Sequence, residues 1–327
     1  MNTKNTLIAT TLLSFAIIGC NSDKNETPPN IPDVPDVPDV PDVPDECTDC
    51  GWDINQWKIT LPVSRDDFYG TGGESAAELI PAECTGKDVL DDETELPYFW
   101  RTEDDNQNPQ LIFSVNLGDE GATTTNSSYV RSELRELFNF ETENRCSSSN
   151  QNWSITGEHR LNTQLEIQDY PDKSVIGSDP KVIVGQVHGY EIKQALIKLQ
   201  WEGEEKPIRA IINDSFNENN ETCDTCNSFS LNLGTVTANT PWQYTIHVNE
   251  TGMEISTLIA GKTETTGELK WGETVIDKDG KSYTLSKQWG DAAYYFKAGI
   301  YPQVKPDPDF SNQIFQVGFN HINITHP

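Results

Sequence analysis

Apolar and polar residues alternate in short runs throughout residues 47–327, whereas patterns with helical periodicity are scarce. The clearest runs cover residues 57–61, 111–115, 154–156, 161–167, 182–188, 197–201, 244–248 and 315–324. Gly, Pro, Asn or Asp bounds each run, as expected for short strands joined by turns. Because no change in composition divides this region, we predict a single all-β domain. It should be a sandwich of two antiparallel sheets with a concave face suited to a long polymer.

The first twenty residues have the pattern of a lipoprotein signal peptide. Lys4 precedes an apolar run at residues 7–18, which is too short to span a bilayer as a helix. Cys20 follows small and aliphatic residues, as in a bacterial lipobox, so cleavage would leave it as the lipidated first residue. Since Asn21, and not Asp, follows Cys20, we expect an anchor in the outer membrane. A plain signal peptide with an incidental cysteine, and hence a secreted protein, is the alternative.

Residues 21–46 are predicted to form an extended linker. The stretch 31–45 repeats Pro-Asp-Val with few interruptions. Regular proline favours a polyproline conformation, and the aspartates repel one another. We interpret the segment as a spacer that holds residues 47–327 away from a membrane surface.

Six cysteines remain in the chain after Cys20, and an even number in an exported protein indicates disulfides. They are Cys47, Cys50, Cys84, Cys146, Cys223 and Cys226. The two Cys-x-x-Cys pairs also resemble half of a zinc site, but neither has a nearby histidine. We therefore predict disulfides and no metal site, and the sequence leaves their connectivity open.

The chain is strongly acidic, with a formal net charge of −29. Residues 1–46 hold eight acids and two bases, which leaves −23 for the domain. This charge argues against a nucleic-acid partner, which would require a basic surface. If the substrate is itself an anion, the few bases must be concentrated where it binds. We expect a monomer that contacts the membrane only through its lipid anchor.

Segment 129–136 places two arginines and a carboxylate on one face of a predicted strand. Arg131, Glu133 and Arg135 alternate, so their side chains point the same way. Guanidinium groups bind carboxylates through a planar fork of donors. A surface ladder of salt bridges is the alternative interpretation.

A second segment, 186–188, pairs an amide with an imidazole. Gln186 and His188 share a strand face, where they could bind a carboxyl group and accept a proton. A polar sheet edge with a solvated histidine would explain the same tripeptide.

The third segment, 295–303, combines aromatic and cationic residues. Without a bulge, alternation places five residues on one face: Tyr295, Lys297, Gly299, Tyr301 and Gln303. A nearby cation would lower the pKa of a tyrosine and help it to carry a proton. An aromatic core strand is the alternative, but it explains the lysine and the glutamine poorly.

Together the three segments resemble the hallmark blocks of the family 7 polysaccharide lyases, the alginate lyases of β-jelly-roll fold. The chain has RSELR at 131–135, QVH at 186–188 and YFKAGIYPQ at 295–303, in the family's order. Similarity extends over residues 52–326 and includes WKITLP at 57–62 and GATT at 121–124.

The resemblance implies cleavage of alginate by β-elimination. Arg131 and Gln186, and with them Asn126, match positions that neutralise the substrate carboxylate. Tyr301 matches the tyrosine that protonates the leaving oxygen, and His188 matches a histidine that acts as base or neutraliser.

The resemblance also implies how the groove holds its polymer. Arg135, Lys297 and Gln303 would hold neighbouring carboxylates and hydroxyls, and Glu133 would orient the two arginines within the substrate site. In the family, a valine at the position of Val187 accompanies a preference for mannuronate, and an isoleucine there accompanies a preference for guluronate. No cofactor or metal is expected.

Two rival functions stay open at this stage. A glycoside hydrolase would need two opposed carboxylates, whereas Glu133 and Glu136 would face opposite ways on a strand. A lipid-anchored carbohydrate-binding protein would not require a tyrosine and a histidine beside the arginines.

Overall fold

The structure is a computed structural model that describes residues 51–84, 89–119, 121–125, 127–140, 146 and 152–327. The predicted signal peptide, Cys20 and the Pro-Asp-Val linker lie outside these residues, as does the predicted domain start at residue 47, so all remain predictions. No helix within the described ranges is long and apolar enough to cross a membrane.

The described residues form nineteen strands and a few short helices. The strands are β1 (Trp57–Ser64), β2 (Ala76–Leu79), β3 (Phe99–Glu103), β4 (Pro109–Asn116), β5 (Ser132–Glu136), β6 (Trp153–Ser154), β7 (His159–Asp169), β8 (Val182–Gly189), β9 (Ala195–Trp201), β10 (Arg209–Asn213), β11 (Ser228–Asn232), β12 (Trp242–Val248), β13 (Gly252–Ile259), β14 (Lys262–Thr265), β15 (Leu269–Lys270), β16 (Thr274–Ile276), β17 (Ser282–Thr284), β18 (Ala293–Pro302) and β19 (Ile314–Thr325). The helices are α1 (Arg65–Tyr69), α2 (Lys173–Ile176) and two 3-10 turns, Ile54–Gln56 and Lys287–Asp291.

Two large antiparallel sheets confirm the predicted all-β sandwich, a β-jelly roll. We name the first the groove sheet; its order is β11-β10-β9-β8-β18-β5-β1-β2, with β6 also paired to β18. The second, the back sheet, has the order β14-β13-β12-β7-β19-β4-β3, with β15 beside β13. Strands β16 and β17 form a separate hairpin.

The hydrophobic core lies between the two sheets. Strand β7 of the back sheet alternates buried and half-buried residues along most of its length, as expected when one face packs inward. Tyr244 of β12 reaches across and donates a hydrogen bond to the carbonyl of Val184 in β8 over 2.9 Å. Gly185 makes room for that ring, because a Cβ there would lie 2.3 Å from the tyrosine oxygen.

One predicted strand differs from the observed one. The run 154–156 was expected to be extended, but β6 ends at Ser154 and the chain bends over the next residues. Gly157 has a φ of +103°, a conformation that favours glycine, and it completes this turn before β7.

Disulfides confirm the expectation for four of the six cysteines. Cys84 bonds to Cys146, and Cys223 bonds to Cys226 within its own Cys-x-x-Cys motif. Cys47 and Cys50 lie outside the described residues. The zinc alternative is therefore wrong for the second motif, since its sulfurs are joined to each other.

Candidate active site

Five polar side chains form a row across five neighbouring strands of the groove sheet, which we call the cross-strand row. Lys58 of β1 is paired in register with Arg135 of β5, which is paired with Lys297 of β18. Lys297 is in turn paired with Gln186 of β8, and Gln186 with Lys198 of β9. Directly opposed residues point to the same face of a sheet. Segments that are far apart in sequence thus contribute to one polar surface.

The carboxylate of Glu133 lies beneath this surface and joins three of the predicted site residues. Its Oε2 accepts a hydrogen bond from Arg131 over 2.8 Å and another from the ammonium of Lys297. Its Oε1 accepts one from the amide of Gln186. Burial tends to raise the pKa of Glu133, but the charges of Lys297 and Arg131 outweigh it and lower that pKa.

Glu133 is therefore a positioning residue, and the expectation that it orients both arginines needs correction. Only 1% of its surface is exposed, and substrate contact by Glu133 stays a prediction. It contacts one arginine and not both, because Arg135 bonds instead to Asn152 over 2.8 Å and to the carbonyl of Glu136 over 3.3 Å. Its two oxygens accept from Arg131, Lys297 and Gln186, whereas Arg135 is held by other acceptors.

Aromatic contacts hold the second arginine and the histidine in place. The guanidinium of Arg135 lies 4.0 Å from the ring centre of Tyr295, a cation–π contact. The same ring stacks on the imidazole of His188, with ring centres 5.4 Å apart. Tyr295 thereby fixes the plane of the imidazole.

The surroundings of His188 favour its neutral form. Its Nδ1 lies 2.9 Å from the carbonyl oxygen of Gly189, which can only accept, so Nδ1 carries the proton. In the neutral ring Nε2 then has a free lone pair. Burial, followed by the charge of Lys297, lowers the pKa of His188 to about 4.

We expect His188 to stay neutral through the weakly acidic range. Among the five histidine signals of the chain in an NMR pH titration, the one missing in H188N should have its midpoint well below 6.5, near pH 4. The reason is that the groove floor desolvates the imidazole, and protonation would also place a second cation beside Lys297. A midpoint near 6.5 would contradict the proposed environment.

Tyr301 lies on the same surface, next to Arg131. The guanidinium of Arg131 is 3.8 Å from the centre of the tyrosine ring. The phenol oxygen is 2.8 Å from the hydroxyl of Ser127, which also lies 2.9 Å from the carbonyl of Tyr129. A hydroxyl can donate or accept, so Ser127 can bond to the phenol or to the phenolate.

A β-bulge in β18 changes the simple alternation expected for segment 295–303. The register with β8 shifts between Ala298 and Tyr301, so one extra residue lies between them. Gly299 has a φ of +123°, and a Cβ there would lie 2.7 Å from the carbonyl oxygen of Ser132. The expected alignment of Gly299 with the site is therefore wrong: the glycine is required by the bulge and by the adjacent strand.

The remaining two candidates are not placed in the site. Gln303 follows the end of β18, and its amide donates to the carbonyls of Tyr301 and Pro302 over 3.2 Å. Asn126 lies outside the described residues, although Thr124 and Thr125 line the groove. Substrate contacts by Gln303 and Asn126 stay predictions.

The polar surface is the floor of a groove of about 410 Å³. Among the described residues, six cations line it: Lys58, Arg131, Arg135, Lys193, Lys198 and Lys297. Its acidic lining consists of Glu78 and Glu191, and the first of these is paired with Lys58 over 2.8 Å. Bases are thus concentrated here in a chain of net charge −29, as expected for an enzyme with an anionic substrate.

The comparison with known protein families agrees with this geometry. The family model described as "Alginate lyase" matches residues 52–326. The chain belongs to the family 7 polysaccharide lyases. No curated protein matches the sequence of this lyase significantly.

Solved structures support the fold of the lyase. Alginate lyase PA1167 from Pseudomonas aeruginosa is 22% identical with a TM-score of 0.55, and the match covers 84% of this chain and all of that one. The alginate lyase from Klebsiella pneumoniae is 17% identical with a TM-score of 0.59, covering 84% and 97%. Alginate lyase A1-II′, a member of polysaccharide lyase family 7, is 21% identical with a TM-score of 0.54, covering 84% and 96%.

Several residues in or beside the groove of the lyase could not be identified from the sequence. Ser127 follows Asn126 directly, but nothing in the sequence indicates that its hydroxyl meets Tyr301. Lys58 and Lys198 lie on strands that were predicted, at polar positions of the alternating pattern. The alternation of polar and apolar residues predicts which face of the sheet they occupy. Their position in the row depends on the pairing of strands.

Proposed function

We propose that the lyase cleaves the 1,4-linkage of alginate by β-elimination and releases unsaturated oligo-uronates. One observation carries the proposal: a phenol, a neutral imidazole, a guanidinium and an amide converge in a cation-lined groove. In this reaction a base takes the proton on C5 of a uronate. The C5–H electrons form the C4=C5 double bond, and the C4–O bond breaks. The departing oxygen receives a proton.

Arg131 and Gln186 would neutralise the substrate carboxylate. The C5 proton is weakly acidic while that carboxylate is charged, so donors aimed at its oxygens stabilise the charge that develops. One such donor contributes roughly 3–4 kcal/mol to lowering the barrier. Glu133 holds both side chains, and it therefore sets the geometry of neutralisation.

Tyr301 and His188 would divide the proton transfers according to the sugar. In mannuronate the C5 proton and the leaving oxygen lie on the same side, so a Tyr301 phenolate can take the proton and then deliver it to the oxygen. In guluronate they lie on opposite sides. Nε2 of His188 then takes the proton and becomes imidazolium, while Tyr301 gives its own proton to the leaving oxygen.

We propose a preference for mannuronate-rich alginate, on the basis of Val187. This side chain is fully buried in the core and not in the groove. It can therefore act only through the positions of its neighbours Gln186 and His188. An effect of one methylene is worth about 1–3 kcal/mol even in direct contact, so the preference should be modest.

A hydrolase mechanism is not supported by the carboxylates in the groove. Glu78 is half-buried, but the charge and hydrogen bond of Lys58, with the hydrogen bond of Thr60, outweigh its desolvation and lower its pKa. A general acid needs the opposite shift. Glu133, beneath the floor, also has a lowered pKa and is enclosed by cations.

The decisive experiment follows ultraviolet absorbance during digestion of polymannuronate, polyguluronate and mixed alginate. The C4=C5 double bond conjugated with the carboxylate should produce rising absorbance, faster on polymannuronate. Saturated products alone would exclude β-elimination. Faster cleavage of polyguluronate would exclude only the mannuronate preference.

We also propose that Cys20 carries a lipid that anchors the lyase in the outer membrane, with the linker as spacer. The apolar run before Cys20 supports this proposal. Unchanged membrane association of a Cys20→Ser variant would exclude it.

A further inference from the structure

Lys198 differs from the other members of the cross-strand row in having no side-chain partner among the residues that the structure describes. Lys58 is paired with Glu78, Arg135 bonds to Asn152, and Lys297 and Gln186 share Glu133. The ammonium of Lys198 forms no hydrogen bond or ion pair within the described part of the chain.

The surroundings of Lys198 are unfavourable for an isolated cation. It is half-buried in the groove floor, between Gln186 on β8 and Ile211 on β10. The nearby Arg209 is also cationic, and its own partner is Glu202 at 2.7 Å. Burial, and then the charge of Arg209, lower the pKa of Lys198. An anion in the groove would relieve both penalties.

The position of Lys198 matches the spacing of a polymer. It lies directly opposite Gln186, which the proposed function assigns to the carboxylate of the reacting sugar. Neighbouring strands are about 4.8 Å apart, so Lys198 and Lys58 at the ends of the row are separated by roughly 19 Å. A strand step is comparable with the length of one sugar in a 1,4-linked chain, and each uronate carries one carboxylate.

We infer that Lys198 binds the carboxylate of a uronate next to the one being cleaved, so that the polysaccharide crosses the strands along the row. This inference rests on the proposed function. The ammonium of Lys198 supplies a charge-assisted hydrogen bond to a carboxylate oxygen of that neighbouring uronate, to which no other residue has been assigned. Asn220 and Lys193 also line the groove, and Lys193 donates a hydrogen bond to Thr222 over 2.8 Å.

The test compares K198M, K198R and K262M with the unaltered lyase, using initial ultraviolet rates on polymannuronate. Methionine keeps most of the apolar stem and removes the charge. We expect K198M to raise KM about tenfold, because a hydrogen bond to a charged group is lost. K198R should recover most of the affinity. K262M removes the same charge from an exposed hairpin of the back sheet and should leave KM unchanged.

Oligomer length and direct binding make the result specific. The penalty of K198M should shrink on the shortest oligomers that are still cleaved, because these leave the neighbouring position empty. Calorimetry can compare alginate binding by Y301F and by the double variant Y301F/K198M, neither of which should turn the polymer over. The double variant should bind alginate about tenfold more weakly than Y301F.

The outcomes separate the inference from the function on which it rests. Equal KM values for K198M and K262M, or a loss confined to kcat, would overturn the role of Lys198 while leaving β-elimination intact. Absence of double-bond formation by the unaltered lyase would instead overturn the proposed function.

Discussion

Replacing Tyr301 with phenylalanine should abolish measurable alginate cleavage and leave alginate binding intact. The change removes only the phenol oxygen, which lies 2.8 Å from Ser127 and is the proposed proton donor to the leaving oxygen. A positioned acid or base contributes about 10²–10⁴-fold to rate. The ring itself remains, so the contact with Arg131 is preserved. Ultraviolet rates and calorimetric titration with alginate measure the two effects separately.

Tyr129 supplies a matched control for this experiment. Its ring packs edge-on against Tyr301, with centres 6.1 Å apart, and Tyr129→Phe removes an equivalent hydroxyl from the adjacent ring. Its rate should stay close to that of the unaltered lyase. Full activity of Tyr301→Phe would refute the assignment, as would equal losses in both variants.

Replacing Glu133 with glutamine should lower both the stability and the activity of the lyase. The carboxylate is the shared acceptor of Arg131 and Lys297, and removal of one partner from a buried ion pair costs about 3–5 kcal/mol. Two cations would remain close together without a counter-charge, and the glutamine amide would offer one oxygen to the three donors that now share the carboxylate. Chemical denaturation measures the free energy of unfolding, and ultraviolet rates measure turnover.

The pH dependence of stability should change in the same variant. Because the folded pKa of Glu133 is lowered, its contribution is complete above the ordinary value of about 4.5 and is lost as pH falls through the folded pKa. Glutamine does not titrate, so the variant should not show this loss of stability at low pH. For comparison, Glu264→Gln breaks the exposed pair with Lys262 and should cost at most about 1 kcal/mol. Similar losses in both variants would contradict the central role of Glu133.

Alternation along each strand was sufficient to predict which face many site residues occupy. Arg131 and Arg135, Gln186 and His188, and Lys297 with Tyr301 all line the groove. Their types also indicated binding of an anion together with proton transfer. The alternation failed locally at Gly299, since a bulge depends on contact with the neighbouring strand.

Partners within the site could not be predicted in this way. Glu133 was expected between two arginines because they are its neighbours in sequence. In the folded chain Lys297 and Gln186 approach it from β18 and β8, and Arg135 bonds to Asn152 instead. The hydrogen bond between Ser127 and Tyr301 likewise joins residues 174 positions apart.

The sequence by itself determined the all-β class, the family and most of the residues that line the groove. It could do so because strand periodicity and residue chemistry are local properties. Only the tertiary structure decided the order of strands, and hence the row from Lys58 to Lys198. Strand order also decides which cations of the row are already paired, and it leaves Lys198 without a partner among the described residues. These properties depend on pairing between distant segments, and pairing is set by packing of the whole sandwich.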